Sequence, residues 1–328
     1  EHEFILSDTQ PRLHYALAQV LSPWATAPFM LLKAPEEAEY LTLLGDAVRQ
    51  LKPEANAVFG GQYRIAGHDV TFEPAAQADG LFAAKGEVIT ANWVEAEQLF
   101  GCLRQFNGEL SLQPGLVHRA NGGVLIISLR TLLSQPLLWM RLKTIVHQQR
   151  FDWVGYDESR PLPVSVPSMP LSLTVVLTGD RESLADFQEM EPELAEQAVY
   201  SEYEDNTQIA DADDMAQWCQ WVMAVAERFA LPTPAADAWP GLIREAVRYT
   251  GDQETLPLCP LWIGKQLREV GVISGNGAFT GEQLTQMLAQ REWREGYLAD
   301  RMQDEILLEQ ILVETEGERV GQINALSV

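Results

Sequence analysis

Apolar runs of strand length recur through the first 205 residues. Each run is bounded by glycine or by polar residues, as in strands that are buried on both faces of a parallel sheet. They are FMLL (29–32), GGVLII (122–127) and LSLTVVLTGD (171–180). A fourth segment, GGQYRIAGHDVTFEP (60–74), alternates apolar and polar residues and predicts shorter strands joined by turns.

Helical spacing of apolar residues fills the stretches between these runs. It predicts helices over PRLHYALAQVL (11–21), a helix starting at 38–44, and helices over NWVEAEQLFGCLRQF (92–106) and LLSQPLLWMRLKTIVHQQR (132–150). Strands that alternate with helices predict an α/β domain built on a parallel sheet flanked by helices.

The pattern changes to purely helical from about Asp211. Helices are predicted in four segments, with Gly251 as the C-cap of the second: 211–231, 235–251, 256–275 and 279–314, the last of which is long enough to be more than one helix. We therefore expect an α/β domain over 1–205 with an inserted segment at about 45–115, and an all-helical lid domain over 206–312. The tail, 313–328, has a strand-like pattern and predicts the start of a linker or strand that leads into a further domain.

Charge and composition exclude several classes of partner. The 328 residues carry a formal net charge of −24 and include 46% hydrophobic residues. Nucleic acids and anionic membrane surfaces both require clustered Lys and Arg, so neither is an expected partner. No apolar stretch approaches the roughly 20 residues of a membrane span, and no signal peptide is recognisable.

The cysteines and histidines do not predict a metal site. Cys102, Cys219 and Cys259 are far apart and lack the spacing of zinc ligands, and the five histidines are equally scattered. Three buried, reduced thiols in a cytoplasmic protein are the expected arrangement.

The strand–loop–helix segment at 29–44 has the setting of a phosphate-binding loop but lacks its residues. When the pattern GxxGxGK[ST] is laid on the chain, the three glycine positions are taken by Lys33, Glu36 and Ala38. Glu39 replaces the lysine that reaches the phosphates, and Tyr40 replaces the Ser or Thr that holds Mg²⁺. The segment predicts either a degenerate phosphate loop or an ordinary turn with an acidic, solvated face.

Two later strands end where further nucleotide chemistry is expected. The acidic pair of a Walker B motif belongs directly after the run at 124–127, where Ser128 and Leu129 stand and cannot replace carboxylates. Thr178 fits the polar sensor position at the end of the third strand, with Asp180 nearby, although both also suit a simple turn.

Several blocks resemble the AAA+ module of Lon-type proteases, especially the Lon-like branch with a shortened N-terminal region. They are LFG (99–101), PGLVHRANGG (114–123), QPLLWMRLK (135–143), VVLTGDRE (175–182) and the end of the chain, ILVETEGERVGQINALSV (311–328). The resemblance implies a P-loop AAA+ fold, a hexameric ring, protein or peptide substrates, and a Ser–Lys proteolytic domain that follows this chain.

The resemblance also supplies further candidate positions. Gln197 falls near the arginine-finger position, and a second sensor arginine is sought on the helix that carries Arg291, Arg294 and Arg301. Arg294 is the sensor-like candidate, while the alternative for all three is a solvated helix face paired with Glu292, Glu295 and Asp304. No catalytic residue is expected within the chain, and no GxSxG motif occurs.

The favoured hypothesis is a non-hydrolysing assembly and substrate-gating module with no bound cofactor. ATP and Mg²⁺ are not expected to bind, and Glu36, Glu39 and Tyr40 are expected to fill the vacated site. Phe106 is the candidate substrate contact, with packing on its own domain as the alternative. Two competing hypotheses are an active ATP-driven unfoldase that holds its metal through Asp180 or Glu182, and an adaptor protein without a protease domain.

Overall fold

The computed structural model describes residues 6–52, 57–75, 80–156 and 159–316. The strands are β1 Phe29–Lys33, β2 Phe59–Ala66, β3 Asp69–Pro74, β4 Phe82–Ala84, β5 Val88–Ala91, β6 Cys102–Phe106, β7 Glu109–Gln113, β8 Val124–Ser128, β9 Arg150–Phe151, β10 Met169–Pro170, β11 Thr174–Gly179, β12 Val199–Glu202, β13 Asn206–Gln208, β14 Thr233–Pro234, β15 Thr255–Pro257 and β16 Ala278–Phe279.

The described residues contain thirteen α-helices. They are α1 Leu6–Thr9, α2 Pro11–Leu21, α3 Ala38–Leu51, α4 Ala96–Phe100, α5 Leu116–Arg119, α6 Leu129–Ser134, α7 Pro136–Gln148, α8 Arg181–Met190, α9 Pro192–Gln197, α10 Ala212–Arg228, α11 Trp239–Thr250, α12 Pro260–Ser274 and α13 Gly281–Glu316, with a 3₁₀ turn at Ala236–Ala238. Among the described residues, none of these helices is long and apolar enough to cross a lipid bilayer.

The chain forms two compact units. The first contains residues 1–224 and 257–261, and the second contains 225–256 and 262–328. The predicted domain boundaries at 205, 312 and around the insertion at 45–115 stay predictions.

A five-stranded parallel sheet in the order β12-β1-β11-β8-β5 organises the first unit. The three apolar runs of the sequence form its central strands β1, β11 and β8, and every residue of β8 is buried. Helices pack on both the central and the edge strands, including α3 on β5 and α8 on β11. This confirms the predicted α/β fold with a helix-flanked parallel sheet.

Register places the ends of the central strands side by side. Lys33 at the end of β1 lies opposite Gly179 on β11 and opposite Glu202 on β12. Ser128 at the end of β8 lies opposite Thr178. The carboxyl ends of these parallel strands therefore form one edge, which is where ligands bind in open α/β sheets.

The predicted helix over residues 92–106 is wrong. Only Ala96–Phe100 is helical, and the chain then turns at Gly101, whose φ is +76°. A Cβ on Gly101 would lie 2.2 Å from the Gln113 carbonyl oxygen, so only glycine allows this close approach. Residues 102–106 instead pair with 109–113 as an antiparallel hairpin with Asn107 and Gly108 at its turn.

The helix predicted over 132–150 is interrupted near its start. It divides at Gln135 into α6 and α7, because Pro136 opens the second helix and cannot donate a backbone hydrogen bond into the first. The remainder, to Gln148, is helical as predicted.

The second unit is mainly helical, as predicted. Gly251 caps α11 in the left-handed region at φ +73°, and its N–H donates to the Val247 carbonyl. The stretch from 281 to 316 is one continuous helix, α13, rather than several. Within this unit, β14 and β16 form a short parallel pairing. The strand-like pattern predicted for 317–328 lies outside the described residues.

Candidate functional site

An open cleft of about 980 Å³ lies at the carboxyl edge of the sheet. Its wall is formed by the loop and first turn after β1, by residues that follow β5, β8 and β11, and by the segment after β12: Lys33, Ala34, Pro35, Glu36, Glu37, Ala38, Glu39, Asn92, Arg130, Asp180, Arg181, Glu202, Tyr203, Glu204, Asp205 and Asn206. The sequence-predicted degenerate loop therefore lines the cleft that its strand–loop–helix setting predicts.

Glu36 connects the loop after β1 directly to the end of β8. Its Oε1 accepts a hydrogen bond of 2.8 Å from the Ser128 hydroxyl and one of 3.1 Å from the Arg130 backbone N–H. Ser128 is fully buried at the end of β8. The carboxylate thus contacts Ser128, the residue at the position where the sequence analysis expects a Walker B acid.

Tyr40 does not line the cleft. Its ring is buried against Tyr203, and its hydroxyl donates to the Cys259 Sγ at 3.4 Å. Burial raises the pKa of both phenols far above their ordinary range, so both remain neutral donors. Of the three side chains expected to fill the vacated site, Glu36 and Glu39 face the cleft and Tyr40 turns into the core.

The wall after β12 is held by a side chain from the start of the chain. Gln10 Nε2 donates to the Glu204 carbonyl at 2.7 Å, and the Glu204 N–H donates to Gln10 Oε1 at 2.8 Å. The Tyr203 N–H donates to the Lys33 carbonyl at 2.8 Å, which fastens the same segment to β1. These contacts fix the position of residues that sequence reasoning did not assign to the site.

Carboxylates outnumber cations around the cleft. Three cations, Lys33, Arg130 and Arg181, face seven carboxylates: Glu36, Glu37, Glu39, Asp180, Glu202, Glu204 and Asp205. Nucleotide sites of this class need backbone N–H groups on glycine, a lysine at the position of Glu39 and a hydroxyl at that of Tyr40. Among the described residues, no group of three or more His, Cys, Asp or Glu is arranged to hold a metal ion.

Thr178 and Asp180 have different roles at the end of β11. Thr178 is fully buried, and its hydroxyl has no hydrogen-bond partner within the part of the chain that the structure describes. Asp180 is the N-cap of α8, and its Oδ1 accepts from the Ser183 N–H at 2.8 Å. Asp180 is thus a turn and capping residue, while Glu182 lies in the first turn of α8 and is exposed.

The candidate sensor arginines are paired within the second unit. Arg291 makes an ion pair of 2.6 Å with Glu269 of α12, and Arg294 lies 3.8 Å from the same carboxylate. The expected partners on the same helix, Glu292, Glu295 and Asp304, are not the ones these two arginines use. Arg301 is exposed on α13, and Gln197 is exposed at the end of α9.

Phe106 is exposed at the tip of the β6–β7 hairpin. Its side chain is 78% accessible, and the turn beside it is formed by Asn107 and Gly108, both with positive φ. The side chain is therefore not packed on its own domain, which was the alternative interpretation. Whether it contacts substrate stays a prediction.

The thiols are less buried than predicted. Cys102 is buried. Cys219, on α10, and Cys259, in the segment before α12, are only half-buried. Partial burial still raises the pKa of the Cys219 thiol.

His118 is buried in an aromatic cage within the HRANGG block. Its ring stacks on Trp153 and meets Phe82 and Phe151 edge-on. Nδ1 accepts from the Gly115 N–H at 2.8 Å, and burial lowers the pKa of the imidazole to about 3. The histidine of this block is therefore a neutral structural acceptor.

Comparison with known families agrees with this geometry. Residues 85–198, which include β5, β8 and β11, match the family model described as "LonB-like, AAA domain". Residues 85–198 of this chain are therefore similar to a LonB-like AAA domain. The match covers the end of β8 with Ser128 and the end of β11 with Thr178, and the parallel sheet agrees with the AAA+ fold.

Two curated relatives extend the similarity along the whole chain. A putative Lon protease homolog from Escherichia coli (strain K12) is 65% identical over 328 residues, which are 100% of this chain and 56% of that protein. A putative Lon protease homolog from Haemophilus influenzae is 34% identical over 92% of this chain and 52% of its own length. The chain thus spans about half the length of these relatives.

A solved structure of lower similarity is NtrX from Brucella abortus in complex with ATP. It aligns with 94% of this chain and 61% of its own, with a TM-score of 0.45 and 13% identity.

Several members of the cleft wall were missed by sequence reasoning. Asn92, Arg130 and residues 202–206 carry no motif, and the Gln10–Glu204 pair joins residues 194 positions apart. The available signal was the topology itself, because residues that directly follow parallel strands meet at one edge.

Proposed function

We propose that this LonB-like AAA domain is a non-hydrolysing assembly and substrate-gating module of a longer Lon-like protease. The observation that carries the proposal is the contact of Glu36 with Ser128. The Glu36 carboxylate accepts the hydrogen bond that Ser128 donates at the end of β8. Ser128 has no carboxylate and so cannot hold a metal ion in the manner of a Walker B acid.

The charge distribution supports the same proposal. A triphosphate in this cleft would meet Glu36 and Glu39 where its own negative charge must lie, and unfavourable Coulomb energies of this kind reach several kcal/mol in partly dry sites. Neither ATP nor Mg²⁺ is a cofactor in this proposal.

The proposed partners are a Ser–Lys peptidase domain in the longer protein, further copies of the chain in a hexameric ring, and protein or peptide substrates. Support for a packing partner comes from the last turns of α13. Met302, Ile306, Leu307 and Leu308 are each at least half exposed there. Apolar clusters of this kind on a protein surface mark interaction sites.

Binding and turnover of ATP test the proposal directly. Calorimetry with Mg²⁺-ATP on this chain should give no heat of binding at micromolar concentrations. Phosphate release by the longer protein should be zero under conditions in which it still cleaves peptides. Micromolar, magnesium-dependent binding, or turnover that is lost on substitution within residues 33–40, would contradict the proposal.

An ATP-driven unfoldase with an atypical nucleotide site is the second candidate function. Its support is that Lys33, Arg130 and Arg181 face the cleft and could contact phosphates. It predicts phosphate release that falls when Arg130 or Lys33 is replaced by Ala, and the same phosphate assay therefore separates the two functions.

A further inference from the structure

Glu36 is the one carboxylate of its loop that is engaged. Its Oε1 receives both the Ser128 hydroxyl, at 2.8 Å, and the Arg130 N–H, at 3.1 Å. Glu37 and Glu39 lie on the same cleft wall, and their side chains make no hydrogen bond within the described residues. The loop therefore provides two internal controls for any effect of Glu36.

The two donors lie far from Glu36 in the sequence. Ser128 is 92 positions away and Arg130 is 94 positions away, so the contact closes a long stretch of chain. The Ser128 hydroxyl is on a fully buried residue, and loss of its acceptor would leave that donor unsatisfied. Hydrogen bonds to an ionised carboxylate are stronger than neutral ones.

The arrangement is that of an oxyanion held by two converging donors. One oxygen accepts both hydrogen bonds, and it belongs to the chain itself. An external anion that reached these donors would have to displace the Glu36 carboxylate.

We propose that Glu36 is an internal oxyanion tether that fastens the β1–α3 loop to the end of β8 and takes, within the same chain, the place of a bound anion. The shape of the cleft is then set by the chain rather than by a ligand. The tether rests on the same Glu36–Ser128 contact as the proposed function. The tests below measure the stability of the free chain, whereas ATP binding and phosphate release test the proposed function, so failure of one can be told from failure of the other.

Chemical rescue tests the tether. Glu36→Ala should lower the Tm of the chain by about 2–4 °C, the shift that the loss of one such hydrogen-bonded group gives in a domain of this size. Glu37→Ala and Glu39→Ala should leave Tm unchanged. Sodium formate, and separately inorganic phosphate, should raise the Tm of Glu36→Ala more than that of the wild type, with sodium chloride at equal ionic strength as the reference.

The rescue should depend on the donor. In the double variant Glu36→Ala, Ser128→Ala, formate and phosphate should give no more stabilisation than sodium chloride. Equal Tm values for the three single Glu variants would overturn the tether. So would a formate effect that is the same in wild type, single and double variants.

A second variant tests the tether even if Glu36→Ala does not fold. Glu36→Gln keeps the shape and a neutral acceptor, so it should weaken the contact without removing it. Amide hydrogen exchange at Arg130 should then be several-fold faster than in Glu39→Gln, because the Arg130 N–H is donated to Glu36. Identical exchange in the two variants would overturn the inference.

Discussion

The rings of Tyr40 and Tyr203 meet edge to face, with centroids 5.2 Å apart and planes at 88°. Tyr40 stands at the loop position where a Ser or Thr would hold Mg²⁺, yet it is buried and its hydroxyl donates to Cys259. Tyr203 in turn donates to the Leu258 carbonyl at 2.6 Å. The residue at the predicted Ser or Thr position of the loop is therefore a packing residue in this chain.

Replacing Tyr40 therefore affects stability more than ligand binding. Tyr40→Thr, which restores the residue type of a phosphate loop, should cost about 3–5 kcal/mol of unfolding free energy because it removes a buried ring. Tyr40→Phe keeps the ring and loses only the weak hydrogen bond to Cys259, at a cost of about 1 kcal/mol or less. Denaturant unfolding measures both, and a Tyr40→Thr variant as stable as wild type would contradict the packing role.

The buried imidazole of His118 predicts that the folded chain loses stability as the pH falls. Its folded pKa of about 3 lies below the unfolded value of about 6.5, so only the unfolded chain takes up this proton at pH 5. The stabilisation is complete above the unfolded pKa and is lost as the pH falls from about 6.5 towards 3. Between pH 7.5 and 5.0 this residue alone should cost about 2 kcal/mol of unfolding free energy.

The variant His118→Asn removes the titrating group and retains an acceptor for the Gly115 N–H. It should be less stable than wild type at pH 7.5 because the ring packing is lost. The difference in unfolding free energy between wild type and variant should be about 2 kcal/mol smaller at pH 5.0. His68→Asn, at an exposed turn, controls for loss of an imidazole from the surface. A gap that stays constant between the two pH values would show that His118 does not titrate in this way.

Elements set by local sequence patterns could be predicted, whereas those set by contacts between distant residues could not. The runs 29–32 and 122–127 become β1 and β8 as predicted, because short runs of consecutive apolar residues bounded by glycine, proline or polar residues favour a strand buried on both faces. The segment 92–106 has helical spacing, but Gly101 must approach the Gln113 carbonyl, which lies twelve positions later. That contact belongs to the fold rather than to the local pattern.

At the candidate site, too, the loop residues could be predicted from the sequence, but their distant partners could not. The absence of phosphate-loop chemistry was readable position by position, from Lys33 to Tyr40. The partner of Glu36 was not readable, because Ser128 comes to it only through the pairing of β1 and β8 with β11. The inward turn of Tyr40 likewise depends on Tyr203, in a segment with no motif.

Phe106 predicts a difference between substrates. In the proposed longer protease, Phe106→Ala should slow degradation of an unstructured protein about fivefold, the effect of losing roughly 1 kcal/mol of apolar contact, and should leave cleavage of short peptides unchanged. The reason is that Phe106 projects from a hairpin tip and can contact only a substrate that passes over it. Trp24→Ala, at another exposed aromatic, is the matched control. Equal slowing for both substrates would count against a gating contact.

The exposed apolar side chains of α13 predict how assembly depends on the rest of the protease. We expect the 328-residue chain to sediment as a monomer and the longer protein as a ring, because the nucleotide that joins subunits in related rings is not expected to bind here. Ile306→Glu and Leu308→Glu should leave the Tm of the isolated chain within about 1 °C, since both side chains are already exposed.

In the longer protein the same substitutions should behave differently. If these turns of α13 pack on the peptidase domain, a buried glutamate there should lower its Tm by several degrees and shift its sedimentation towards smaller species. Gln303→Glu, at an exposed polar position of the same helix, should have no effect on either measurement. A ring formed by the isolated chain, or an unchanged longer protein carrying Ile306→Glu, would place the assembly contacts elsewhere than on this part of α13.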